Sequence, residues 1–355
     1  METDLGQGDP TRDLPFAHGG PALRGRIRVE PADFVVEEDL GYTPTGDGEH
    51  VFMTVRKIGR NTHDVARALA RLAGVAQVAV GYAGLKDRQA VTTQSFTVQL
   101  PGRDAPDWNQ LADESLQILD VQRHGRKIRR GSLRGNRFEI RIRELDGDRD
   151  AAEQRLAVIR ERGVPNYFGN QRFGRDGGNL QQADDLFAGR GRKPKRELRG
   201  ILLSAARAQL FNLVLAERVA DATWDVAVDG EVLLLAGAGR QFLYDPADAS
   251  IGQRLAALDV HPSVPLCGRA GRSLVPGEPL HAREEAILAP WTEWRDGLAR
   301  FGLESDRRAS RLVVHDLAWE WNDDSLVLRF GLVSGAFATS VLREVIALEG
   351  GMDVT

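Results

Sequence analysis

Lys86-Asp87-Arg88 sets a carboxylate between two cations, just past a turn at Gly84. Positive neighbours favour the charged form of a carboxylate. An ionised, oriented Asp can act as a nucleophile or as a base. The flanking residues indicate how such a group would be held. Val78 and Val80 close one short strand. Val91 to Leu100 then alternates as a half-buried strand does, with Val91, Thr93, Ser95 and Thr97 on one side and Thr92, Gln94, Phe96 and Val98 on the other. Asp87 is therefore expected on a loop between two strands, where a rigid scaffold can present a reactive group. Taken alone, the charged triplet equally fits a solvated surface turn.

A second group of residues could recognise a flat ligand. The chain turns at Gly135-Asn136 and continues as a strand, so Asn136 and Phe138 share one face. An aromatic ring beside an amide suits a planar ligand with a polar edge: the ring stacks and the amide bonds the edge. Without further support the pair is a turn Asn and a core Phe. Around it the chain is strongly basic, with Arg123, Arg126, Lys127, Arg129, Arg130, Arg134 and Arg137 alongside His124. Glu139 is the only acid between Val121 and Arg143. Such a cluster is the footprint expected for a phosphate backbone, or else a solvated basic loop. A second basic loop, Arg190-Gly-Arg-Lys-Pro-Lys-Arg196, offers Arg192 and Lys193 as further phosphate contacts.

The elements that must position these groups can be read in turn. Ile27 and Val29 alternate, Pro31 interrupts, and Phe34-Val35-Val36 resumes as a strand with Phe34 most simply in the core. Residues 48 to 57 form a strand. Asn61 or Thr62 caps a helix along which Val65, Leu69 and Leu72 recur, and Gly74 ends it. Residues 151 to 162 form a helix stopped by Gly163. The aromatic, glycine-rich stretch Gly163 to Gly174 is too distinctive for a plain linker. Helices follow from Asn179 to Gly189 and from Ser204 to Val219, then strands at 228 to 235 and 241 to 244. Trp291 and Trp294 read as packing residues. Leu312 to Trp319 and Ser325 to Val333 form a hairpin, and Ser334 to Ile346 reads as strand, tight turn and helix.

Composition narrows the classes. A chain of 355 residues with 42% hydrophobic content suggests two ordinary globular domains. Its net charge of -4 means that any nucleic-acid surface comes from local clustering. Cys267 is the only cysteine, so no disulfide closes within the chain, as expected for a reducing cytoplasm. No apolar run reads as a membrane span, and no membrane partner is expected. The polar stretch from Met1 to Gly20 reads as a disordered lead-in rather than a signal peptide. The seven histidines show no ligand-like spacing, so no metal is expected. Gly237-Ala-Gly-Arg-Gln-Phe242 lacks the third glycine of a dinucleotide fingerprint, and no cofactor is implied.

Several of these stretches together resemble the TruD family of tRNA pseudouridine synthases. Gly84-Leu-Lys-Asp-Arg88 with Ala90, Thr92 and Gln94 is similar to that family's central motif. Pro31-Ala-Asp-Phe-Val-Val-Glu-Glu38 resembles its P-x-D-F-x-V-x-E segment, and Gly59-Arg-Asn-Thr62 its G-x-N-T turn. Gly135-Asn-Arg-Phe138 resembles G-N-x-F, Val164 to Gly174 resembles V-P-N-Y-F-G-x-Q-R-F-G, and Gly335 to Glu344 resembles G-x-F-A-T-S-V-x-R-E.

The resemblance implies a reaction and roles for particular residues. Uridine in tRNA, usually uridine 13, would be isomerised to pseudouridine, with the base flipped out of its stack. Asp87 would be the nucleophile, attacking C1′ of the ribose or C6 of the uracil, or else would remove a proton. Phe34, Phe138 and Phe337 would line the base pocket and Asn136 would bond the base edge. Arg343 would pair with Asp87. Lys86, Arg88, Arg126, Lys127, Arg129, Arg130, Arg192 and Lys193 would meet the RNA backbone or anchor loops. The implied fold is α+β, with mixed α/β elements. A pseudouridine-synthase-like catalytic domain with a mostly antiparallel sheet would span 21–161 plus 310–355, interrupted by an inserted TRUD domain at 162–309. A cleft between them, lined by basic loops, would take the tRNA, and the protein is expected to be a monomer. Two other classes share these surfaces: a silent tRNA-binding or folding protein, and a nucleic-acid glycosylase.

Overall fold

A computed structural model describes residues 8–348. The chain divides into two compact units. One, the sheet unit, holds Leu23–Gly147, Val314–Gly335 and the chain from Ala347. The other, the helical unit, holds the chain up to Ala22, Asp148–Val313 and Ala336–Ile346.

The sheet unit is built on strands β1 (Leu23–Arg26), β2 (Phe34–Asp39), β3 (His50–Ile58), β4 (Val80–Tyr82), β5 (Val91–Gln99), β6 (Leu116–His124) and β7 (Gly135–Gly147). Strands β8 (His315–Asn322) and β9 (Ser325–Val333) complete it. The main path runs β8-β9-β7-β2-β5-β3-β6, with β1 alongside β7 and β4 alongside β5. Pairing is antiparallel throughout this path except between β2 and β5. The sheet is thus mostly antiparallel, as its alternating strands suggested.

Helix α1 (Thr62–Leu72) lies on the β3–β5 face. Val65, Ala66, Leu69 and Ala70 from the helix meet Val51, Met53 and Val55 from β3 and Phe96 and Val98 from β5 in one buried cluster. The period-two pattern of β3 and β5 and the helical spacing of α1 produce this packing, because each puts its apolar residues on a single face. Burying a Val, Leu or Phe side chain contributes roughly 1.5–3 kcal/mol.

The helical unit carries α2 (Arg149–Arg162), α3 (Gly178–Phe187), α4 (Arg196–Ala220), α5 (Ser250–Ala256), α6 (Leu280–Leu288), α7 (Thr292–Arg300) and α8 (Ala338–Val345), with short strand pairs between them. Asp148 caps α2 by accepting from the Ala151 amide. Gly163 ends that helix at φ 74°, and a Cβ there would collide with the Leu312 carbonyl. Leu202, Ala205, Ala206, Leu210, Phe211, Val214 and Leu215 bury the long flank of α4 against Phe173, Leu180, Phe187 and Trp294. Trp294 is indeed a packing residue, edge-on to Trp291 with ring centres 4.9 Å apart.

Three sequence expectations change. Helix α4 begins eight residues earlier than the amphipathic pattern suggested, and by length and composition it could span a membrane. Its apolar residues are instead taken up in the unit's own core. Residues 149–162 and α8 were expected with the sheet, but they pack within the helical unit, where α2 and α8 touch each other. The lead-in from 8 to 20 is packed as well: Leu14 and Ala17 lie against the helical core, and Glu344 accepts from the amides of Ala17 and His18 at 3.1 and 3.0 Å. The remainder of the expected lead-in, 1–7, falls outside the described residues.

Candidate active site

Asp87 lies on the loop between β4 and β5, with its side chain 36% exposed. Its Oδ2 accepts from Arg28 Nη2 at 3.0 Å. Arg28 stands between β1 and β2 at φ 58°, a conformation that costs a non-glycine residue roughly 1 kcal/mol. Its guanidinium is 10% exposed and lies 4.1 Å from the centre of the Phe34 ring. Burial pushes the Arg28 pKa down, while the Asp87 carboxylate acts in the opposite direction. Guanidinium remains charged across the working range of proteins, so Asp87 faces a fixed cation.

The pairing role expected of Arg343 is therefore filled by Arg28. Arg343 donates to the carbonyls of Leu14 and Pro15 at 2.6 and 3.2 Å and stacks 4.3 Å from the Phe16 ring. Its Nη1 also lies 3.4 Å from Glu344 Oε1. Burial lowers the Arg343 pKa, with Glu344 opposing. Glu344 is fully buried.

Phe34, Val36 and Glu38 share one face of β2, where Val36 opposes Phe138 and Glu38 opposes Asn136 on β7. Phe34 is only 4% exposed and meets Phe138 edge-to-face at 6.2 Å. Its ring bears the Arg28 guanidinium, so it supports the cation rather than offering a bare stacking surface. Phe138 is half-buried and stacks on Phe330 at 5.3 Å.

Lys86 does not reach outward for phosphate. Its side chain is 6% exposed; its Nζ donates to Asn136 Oδ1 at 2.6 Å and lies 3.3 Å from Glu38 Oε1. The side chain runs into the sheet, a direction the loop sequence does not show. Glu38 is held in turn by the Ser95 amide at 3.0 Å. An ammonium only donates, so the Asn136 oxygen must face Lys86 and its NH₂ is turned outward. Arg88 is exposed and donates to the Gly59 carbonyl, which anchors the loop.

Thr62 and Gln94 pin the same loop. The Lys86 amide donates to Thr62 Oγ1, Thr62 donates to Gln94 Oε1, and Gln94 Nε2 donates to the Gly84 carbonyl at 2.7 Å. Side-chain capping of α1 was expected here; Asn61 at its N-cap makes no such bond, and Thr62 is committed to the loop.

Within the basic run, Arg126 and Arg129 are exposed. Lys127 Nζ donates to the Val78 carbonyl, and Arg130 bonds the Tyr82 hydroxyl at 2.9 Å while lying over its ring. Lys127 thus ties the basic loop to the turn before β4, and Arg130 ties it to β4 itself. In the helical unit, Arg192 and Lys193 are exposed on the loop before α4. Phe337 is half-buried at the N-cap of α8, 5.9 Å from the Arg172 guanidinium. Among the described residues no His, Cys, Asp and Glu group could hold a metal ion.

The comparisons with known proteins agree on one family. The family model for tRNA pseudouridine synthase D (TruD) matches residues 15–182 and 178–345. A tRNA pseudouridine synthase D of Methylococcus capsulatus is 51% identical over 338 residues, 95% of each chain. One from Nitrosococcus oceani is 48% identical over 93% of each chain. A crystal structure from Methanosarcina mazei, which carries the TruD name provisionally, aligns with a TM-score of 0.72 over 93% of this chain and 95% of that one. At 19% identity it speaks for the fold alone. The α+β sheet with its clamped carboxylate thus matches the class of proteins named tRNA pseudouridine synthases. The chain is a member of the tRNA pseudouridine synthase D (TruD) family.

Proposed function

We infer that this chain converts a uridine of tRNA, uridine 13 by its resemblance to the family, into pseudouridine, with Asp87 as nucleophile. The observation that carries the reading is the Asp87–Arg28 pair at 3.0 Å, on a loop pinned from below and adjoining a face that holds Asn136 and Phe138. The reaction breaks the N1–C1′ bond, turns the uracil, and joins C5 to C1′, with the C5 proton leaving to solvent and N1 taking up a proton in its place. It consumes no oxidant, metal or energy source. Arg28 keeps Asp87 in position as charge moves onto and off its carboxylate. The outward NH₂ of Asn136 donates to a carbonyl on the uracil edge, and Phe138 packs beside the ring.

The sheet unit, with Asp87, Asn136 and Phe138, is the catalytic part in this reading. On the helical unit, the exposed Arg192 and Lys193 meet tRNA phosphate. Arg126 and Arg129 are the corresponding phosphate contacts on the sheet unit.

Tritium release from tRNA labelled at C5 of uridine tests the proposal, with wild type beside Asp87→Asn. Release by wild type and none by the variant, at unchanged tRNA affinity, is the expected result. Full activity in Asp87→Asn would overturn the assignment. Free uracil in the supernatant would instead mark a glycosylase, and tRNA binding without release by either protein would mark a silent binder.

A further inference from the structure

The core beneath the Asp87 loop changes character along two neighbouring strands. On β3 the inward positions Val51, Met53 and Val55 are apolar, and the next on that face is Lys57. On β5 the same face runs back from Val98 and Phe96 to Gln94 and Thr92. Lys57 pairs directly with Thr92 across the two strands and with Leu116 on β6. A helix-covered face that turns polar at one end, next to a loop, has a use for those groups.

Lys57 is 1% exposed, among the largest fully buried side chains of the molecule. Its Nζ lies 2.8 Å from the Arg60 carbonyl, 3.1 Å from the Asp87 carbonyl and 3.5 Å from the Lys86 carbonyl. Three ammonium protons thus meet three carbonyls from the two segments that frame the candidate nucleophile. Residue choice supports the point. Only five of the 47 Lys and Arg residues are lysine: Lys57, Lys86, Lys127, Lys193 and Lys195. A planar guanidinium fork cannot converge on three carbonyls around one point, whereas a compact tetrahedral ammonium can.

We propose that Lys57 is a positioning residue for the reaction: its buried ammonium draws the backbone of Lys86 and Asp87 down onto the end of the sheet and so fixes where the Asp87 carboxylate points. The proposal rests on the reading of Asp87 as the nucleophile. A neutral amine has two protons and one lone pair. After deprotonation one of the three carbonyls must face that lone pair, and the clamp opens on that side.

The charge state of Lys57 is within experimental reach. Burial pulls its pKa down to about 8; Asp87 opposes the shift and Lys86 adds to it. The other charged groups nearby are already engaged: Lys86 with Glu38, Asp87 with Arg28, Arg60 with Asp113 and Ser115, and Arg88 with the Gly59 carbonyl. A lysine whose folded pKa lies below its unfolded value destabilises the fold at low pH and ceases to do so as pH rises above about 8. Deprotonation of Lys57 therefore does not unfold the protein. Turnover and stability should part company above that pH.

The test is kcat for C5 tritium release at saturating tRNA from pH 6.5 to 9.5, for wild type and Lys57→Met, with melting temperature and tRNA affinity followed in parallel. Wild type should lose activity in a one-proton step near pH 8 while its melting temperature shows no matching fall. Lys57→Met should lack that step, with kcat lower by roughly tenfold to a hundredfold, the scale of a small misplacement of a reacting group. Its tRNA affinity should stay within about twofold, since Lys57 touches no surface. A flat wild-type profile, or a step retained in Lys57→Met, overturns the proposal. Should Lys57→Met fail to fold, ¹³Cε-lysine spectra of wild type decide: one of five signals titrating near 8 together with kcat supports it, and all five titrating near 10 overturns it. Activity in Asp87→Asn would signal failure of the underlying reading, whatever Lys57 does.

Discussion

Arg28 reaches Asp87 from 59 positions away, and nothing in its local sequence announces it. It is one of three alternating arginines in Arg24-Gly-Arg-Ile-Arg28, a pattern that marks none of them for a carboxylate, and the left-handed turn that aims it is invisible in composition. Glu38 was not singled out, although its facing was visible, since it shares a side with Phe34 and Val36 on an alternating strand. Its buried link to Lys86 was not visible, because sequence does not show which way a loop lysine turns. A turn, an alternation and a shared face placed Asp87, Asn136 and Phe138, but only the family resemblance singled them out from a solvated turn and a core Phe. For Arg28 the geometry gives a graded expectation. Arg28→Lys keeps the charge but loses the flat contact with Phe34, and kcat should fall about tenfold. Arg28→Ala removes the cation, and the loss should reach roughly 10²–10³, the range seen when one preorganised electrostatic partner is deleted. Single-turnover rates at saturating tRNA check both. Equal rates for wild type and Arg28→Ala would mean that the ion pair has no part in the chemistry.

At the scale of elements, α1 and the strands it covers were readable, since the spacing of Val65, Leu69 and Leu72 and the alternation of β3 and β5 each select one face. Helix α8 was read correctly as an element and placed with the wrong unit. The pattern of Val341 and Val345 shows that a face is buried but not against what. Its partner includes residues 14 to 18, a stretch whose Gly- and Pro-rich surroundings suggest disorder. Glu344 holds this arrangement, fully buried between the amides of Ala17 and His18 and the Arg343 guanidinium. Glu344→Ala leaves a buried cation and two amides uncompensated, which should cost about 3–5 kcal/mol. Calorimetry should show a melting temperature lower by several degrees. Glu344→Gln retains an acceptor and should cost less. A melting curve unchanged in both variants would mean that this capping is incidental.

For the molecule as a whole, charge is the quantity that decides binding. The net charge of -4 repels RNA on average, so attraction must come from patches. Arg126, Arg129, Arg192 and Lys193 are exposed; Lys86 and Lys127 are spent on internal bonds, and Arg130, though exposed, is bonded to the Tyr82 hydroxyl. Affinity for tRNA should fall steeply with added salt, because each phosphate contact releases counterions. Changing Arg126 and Arg129 together to Ala should reduce the slope of log K against log salt by roughly 1–2 units. The same double change at Lys86 and Lys127 should leave the slope nearly as it was. Filter binding from 50 to 300 mM salt, ranges chosen about the physiological value, separates the two. An unaltered slope in Arg126→Ala with Arg129→Ala would place the docking surface elsewhere.

The stitching of residues 14 to 18 to Arg343 and Glu344 also has a meaning in time. These partners stand 326 to 329 positions apart, so a segment made in the first moments of translation waits for nearly the whole chain to leave the ribosome. The sheet unit faces a similar delay, since β7 is emitted long before β9, which lines it. A nascent chain arrested anywhere before position 338 lacks Arg343 and Glu344, so residues 14 to 18 have nothing to close on and stay exposed until α8 is made.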